Sequence, residues 1–166
     1  MNKISQTIDL LNEKIGKLTS YLSIPLILLT FLVAFMRYAL DFGSIAIQEI
    51  TIYLHALIFT TGASYTLKNN MHVRIDIFYN KFSNDLKKTI DFYGTIFLLL
   101  PTCVLIIISS FKYVITSILL LESSKEAGGL PILYILKTYI LLMAIMLVLQ
   151  AISEAIKNSK GKDKKC

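Results

Sequence analysis

The sequence predicts an all-α integral membrane protein. It has four transmembrane helices with both termini in the cytoplasm, an N-terminal amphipathic interfacial helix, and a surface helix between spans two and three. Three observations carry this. First, 55% of the 166 residues are hydrophobic and mean hydropathy is +0.64. The apolar residues gather in four runs, each long enough for the ~20 residues a helix needs to cross a bilayer. Second, the formal net charge is +6, yet nearly all basic residues lie outside those runs. Thirteen of seventeen Lys and Arg fall in the N-terminal arm, the loop between spans two and three, and the tail; the two opposite connections hold only Lys125. By the positive-inside tendency the three basic segments are cytoplasmic. Such a distribution orients a chain in a membrane and points away from nucleic-acid binding. Third, the segments flanking the runs repeat their apolar residues at helical spacing.

In order, residues 1–18 form the arm. Ile4, Ile8, Leu11, Ile15 and Leu18 recur at steps of four and three, with Asp9, Asn12 and the lysines on other faces. This is an amphipathic helix too polar to span, lying in the membrane interface. The four-helix transmembrane domain covers 19–156, with spans at about 20–40, 45–67, 92–115 and 132–156. The first run is a retained helix and not a secretory signal: it is too long, ends in Arg37-Tyr38, and is followed by no small-x-small cleavage site. A tight turn, Asp41-Phe42-Gly43-Ser44, joins spans one and two, with Ser44 placed to cap the second.

Ile75, Phe78, Phe82 and Leu86 predict the surface helix. Pro101 predicts a bend in span three, because the carbonyl one turn earlier loses its donor. Pro131 suits the first position of span four. Residues 157–166 are a basic tail. Of the two cysteines, Cys103 lies within an apolar run and Cys166 ends the chain, so no disulfide framework is expected.

Span two is the segment most suited to face a partner. It is less apolar than its neighbours, and polar groups at membrane depth face protein or water in preference to lipid. Gln48, Thr51, His55 and Gly62 form one stripe, with small residues nearby that favour close helix contact. Arg37 and Glu49 lie at a similar shallow depth. They are placed either to pair across the hairpin or to stand apart, Arg37 snorkelling to headgroups and Glu49 solvated at a helix start. A single His55 is better suited to helix packing than to haem, and His72 lies at the other membrane face. No His, Cys or carboxylate cluster has metal-ligand spacing, and no phosphate loop or nucleophile elbow stands out. No enzyme activity, metal or cofactor is therefore expected. A self-sufficient transporter is also disfavoured, because the four spans carry no repeat or midplane polar site.

Taken together, Arg37-Tyr38 closing span one, Gln48-Glu49 opening span two, Gly62 within it, His72-Val73-Arg74-Ile75-Asp76 and Gly129-Leu130-Pro131 resemble a known pattern. It is that of the small, DctQ-like Q subunit of tripartite ATP-independent periplasmic (TRAP) transporters. The resemblance covers roughly residues 20–150. Family members often carry a tryptophan before the span-two Glu and another after the Gly-x-Pro; here Ile45 and Ile132 occupy those neighbourhoods.

The resemblance implies a bacterial inner-membrane protein, multi-pass, that scaffolds a large elevator-type M subunit. A periplasmic binding protein would deliver an organic acid anion, a C4-dicarboxylate or a sialic acid, for sodium-driven uptake. Arg37, Gln48, Glu49, His55, Gly62, His72, Arg74 and Asp76 are the candidate subunit-interface or family-motif residues. Asp41, Glu122 and Glu126 are the candidate docking residues for the periplasmic protein, and membrane lipids are the remaining partner. Two other classes stay open: a haem-binding anchor subunit using His55, and a small proton-coupled exporter using Glu49.

Overall fold

A computed structural model describes residues 3–69, 71–72 and 82–159, and among them every regular element is helical. Helix α1 spans Lys3–Ser20, α2 Ser23–Ala39, α3 Ile45–Lys68, α4 Asn84–Gly94, α5 Leu100–Leu119 and α6 Leu133–Ser159. A π-helical turn, Thr95–Leu99, joins α4 to α5. Four stretches are long and apolar enough to cross a membrane: Lys3–Ala39, Ile45–Lys68, Leu86–Leu119 and Leu133–Lys157.

The burial pattern is that of a protein solvated by lipid. Buried side chains are small or polar, among them Ser5, Asn12, Thr60, Thr61, Ser64, Ser117, Gln150 and Ser153, whereas large apolar side chains point outward along every span. Between helices in a bilayer there is little hydrophobic gain to collect, so small residues and interhelical hydrogen bonds fill the contacts. Helix α6 is central and packs on α1, α3 and α5, while α2 leans chiefly on α3.

The elements begin and end for local reasons. After α2, the amides of Leu40 and Phe42 both donate to the Met36 carbonyl (3.3 and 3.1 Å), and Asp41 takes φ 47°. Asp is among the few side chains that tolerate this left-handed region. Ser44 holds the extended backbone of an N-cap, but its side chain makes no capping bond; the cap expected from its hydroxyl is not formed. Ser83 does cap α4, accepting from the Leu86 amide at 3.4 Å.

Helix continuity differs from expectation in span three. Leu86, assigned by periodicity to the surface helix, lies in a helix that runs unbroken from Asn84 through the π turn to Leu119. Residues 73–81, where the rest of that surface helix was expected, lie outside the described residues. Pro101 has no N–H to give the carbonyl four residues earlier, and the helix widens just before it: the Leu100 amide reaches back to the Thr95 carbonyl. A π turn is a recognised way to absorb such a break.

Helix α1 carries the largest surprise. Its exposed side chains include the apolar Ile4, Leu10, Leu11 and Leu18 beside Lys3, Lys14 and Lys17, and its buried ones are Ser5, Asn12, Gly16 and Thr19. The polar edge faces inward, onto α3 and α6. Gly16 is required there: a Cβ would lie 2.6 Å from Cγ of Tyr65 on α3.

Candidate functional site

Three polar constructions interrupt this apolar body. At the end where α3 begins, α3 presents Glu49 to the loop between α5 and α6. Glu49 Oε2 accepts from the Leu130 amide (2.6 Å), and Glu49 Oε1 accepts from the Ser124 hydroxyl. The loop is shaped to reach it. Gly128 takes φ 82°, the Gly129 amide donates to the Glu126 carbonyl (3.0 Å), and the Ser124 amide donates to the Leu130 carbonyl (3.0 Å). A Cβ on Gly129 would stand 2.8 Å from Glu49 Oε1, so only glycine lets the loop come this close.

Beside this pin, Glu122 accepts from the Ser117 hydroxyl (2.7 Å) and from Lys137, whose ammonium lies 4.1 Å from the centre of the Tyr113 ring. The Lys137 hydrogen bond, helped by that of Ser117, holds the Glu122 carboxyl below its ordinary pKa. Arg37 is exposed and makes no ion pair among the described residues. The pairing of Arg37 with Glu49 is thus replaced: the loop's hydroxyl and amide donors satisfy the carboxylate.

The second construction is the outward face of α3. Tyr53, Thr60, Thr61 and Ser64 are its buried side. Gln48, Ile52, His55, Phe59 and Gly62 lie within about 80° of arc on the opposite side, at 3.6 residues per turn. Ile52 and Phe59 are 55% and 66% exposed, His55 is exposed, and a Cβ on Gly62 would meet nothing within 4 Å. Isolated polar groups facing hydrocarbon are costly. A stripe holding an amide, an imidazole and a gap at glycine is therefore a face without its neighbour. His72 closes the far end of α3: its Nε2–H donates to the Ala63 carbonyl (3.1 Å), with the Thr66 hydroxyl at 3.2 Å. Arg74 and Asp76 lie outside the described residues. Asp41 and Glu126 are exposed.

The third construction, at the opposite end of the bundle, clasps α1 to α6. Asn12 Nδ2 donates to Gln150 Oε1 (2.7 Å), Ser5 and Ser153 share a hydroxyl bond (2.8 Å), and Lys157 pairs with Asp9 (2.7 Å) and Glu154 (2.8 Å). Alongside, Thr61 on α3 donates to Thr19 (3.0 Å), while Glu13 pairs with Lys17 (2.6 Å) and Lys68. Sequence reasoning missed the clasp. The available signal was a polar stripe, Ser5-Asp9-Asn12-Gly16-Thr19, matched by Gln150, Ser153 and Glu154 near the end of an otherwise apolar helix.

None of the three resembles a reaction centre. Among the described residues no group of three or more His, Cys, Asp or Glu side chains is placed to hold a metal.

A family model for the DctQ component of tripartite ATP-independent periplasmic transporters matches residues 26–161. The chain belongs to the DctQ family. It is therefore a small TRAP transporter subunit and a multi-pass membrane protein. No curated protein and no solved structure matches it. In this DctQ-family chain the Glu49 pin, the α3 stripe and the Gly129-Leu130-Pro131 turn all fall inside the matched region, whereas α1 precedes it. Half of the clasp therefore comes from a helix outside the stretch that the family model matches.

Proposed function

We propose that this DctQ-family chain is the stationary, non-catalytic subunit that holds a large elevator-type permease in the inner membrane. Sodium-coupled uptake of an organic acid anion, a C4-dicarboxylate or a sialic acid, would then proceed through the large subunit and leave this chain chemically untouched. The observation that carries the reading is the Gln48–His55–Gly62 stripe. It is a polar, gapped face at membrane depth on an otherwise lipid-solvated bundle, which suits a transmembrane helix of the large subunit. The pinned outer loop, with Asp41, Glu122 and Glu126 near it, is the docking surface for the periplasmic binding protein. Both termini and the clasp lie on the cytoplasmic side, in keeping with the lysine and arginine distribution.

Co-reconstitution tests this. Liposomes holding this chain with the large subunit and the binding protein should accumulate solute in a sodium gradient. Liposomes holding this chain alone should accumulate none. Uptake by the lone chain would end the scaffold reading.

A further inference from the structure

A cavity of about 540 Å³ lies between α3, α5 and α6 near the outer end. Its floor is apolar, formed by Ala56, Phe59, Ile140 and Met143; its rim carries Lys125, Lys137 and Glu122. From the level of Lys137 to Met143 is about 9 Å at the rise of an α-helix, over half of the ~15 Å depth of one leaflet's hydrocarbon. The two ends differ in chemistry. Lys137 pairs with Glu122, while the exposed Lys125 makes no ion pair among the described residues, so among the residues lining the cavity cations outnumber carboxylates by one. Phe59 belongs both to this cavity and to the exposed stripe on α3, so the cavity opens sideways at the margin of the face proposed to seat the large subunit, where a lipid can lie between the two subunits.

We propose that this cavity is a binding site for one outer-leaflet phospholipid with an anionic headgroup. Its phosphate meets the Lys125 ammonium, and the upper part of an acyl chain lies on Ala56, Phe59, Ile140 and Met143. A charged rim above a greasy pocket, at the depth where headgroup gives way to hydrocarbon, complements an amphiphile with that polarity. A free anion would find no use for the floor, and an uncharged apolar molecule none for the rim.

The test uses the complex with the large subunit in vesicles containing phosphatidylglycerol that bears a photoreactive group on its acyl chain. Irradiation should label peptides containing Ala56–Phe59 and Ile140–Met143. Lys125→Ala should reduce that labelling about fivefold, the loss expected for one basic residue near a membrane surface. Ala56→Phe, which fills the pocket, should abolish it. A photoreactive phosphatidylcholine, whose choline cancels the phosphate charge, should label the same peptides more weakly and lose less labelling than phosphatidylglycerol on Lys125→Ala. Added inorganic phosphate should not compete. Equal labelling in wild type and Lys125→Ala would overturn the proposal. So would labelling confined to other helices, or cross-links from these peptides to the large subunit in place of lipid, which would make the cavity a protein-docking groove.

Discussion

Replacing Glu49 with Ala removes the α3 acceptor that ties down the loop between α5 and α6. Two hydrogen bonds go with it, one from the Leu130 amide and one from the Ser124 hydroxyl. A hydrogen bond to a charged group contributes roughly 1.5–3 kcal/mol when buried. Glu49 is half-buried, which puts each bond at or below the lower end and their sum at about 2–3 kcal/mol. The turn's internal bonds survive, since Ser124 N to Leu130 O and Gly129 N to Glu126 O do not involve Glu49. The loop therefore keeps its shape but detaches from α3.

At 1.4 kcal/mol per factor of ten, the detached population rises about 30- to 140-fold, and the Leu130 amide should exchange with solvent faster by that factor. Glu49→Gln keeps one neutral acceptor and should give an intermediate increase, about tenfold. Amide exchange at Leu130, followed in detergent micelles by mass spectrometry, measures this directly. If exchange in Glu49→Ala stays within about threefold of wild type, the pin is not what holds the loop.

Three further outcomes follow from the other constructions. The Ser5→Cys, Ser153→Cys double variant places thiols where hydroxyls stand 2.8 Å apart; it should form an intramolecular disulfide under mild oxidation, read as a mobility shift lost on reduction, and failure to form would detach α1 from α6. Gly62→Leu should leave thermal stability unchanged, because nothing lies within 4 Å of the new Cβ, yet reduce co-purification with the large subunit at least tenfold; normal co-purification would remove Gly62 from the docking face. The Glu122 carboxyl is held below its ordinary value of 4.5, chiefly by the Lys137 hydrogen bond. Its contribution to stability is thus complete above pH 4.5 and is lost as pH falls through the lowered folded value. Melting curves of wild type and Glu122→Gln should accordingly differ at pH 7 and converge as the pH drops below 4; a constant difference would refute the link.

The four spans were legible because bilayer thickness writes itself into sequence as long apolar runs, and each run appears as helix. Span two was singled out as less apolar than its neighbours, and Gln48, His55 and Gly62 fall on one side of α3 at 3.6 residues per turn. Other features depend on contacts between distant residues. Glu49 meets Ser124 and Leu130, 75 and 81 positions away, and one of those donors is a backbone amide that any sequence would carry. The arm was read as amphipathic and interfacial, and the polar face it turns inward was not foreseen. In water an apolar stripe seeks the core, whereas beside lipid it has no reason to, and the polar edge of α1 finds Gln150, Ser153 and Lys157 instead. The π turn before Pro101 is one of several ways a helix accommodates proline, so an interruption near it was predictable and its form was not.

The central claim, that the outward face of α3 seats the large subunit, is tested most directly by site-specific photocross-linking in cells carrying the whole transporter. A photoreactive amino acid at position 55 or 62 should yield an adduct with the large permease subunit, while the same probe at position 108, on the lipid-exposed side of α5, should yield none. Adducts from position 108 and none from positions 55 and 62 would place the partner on another face and contradict the account.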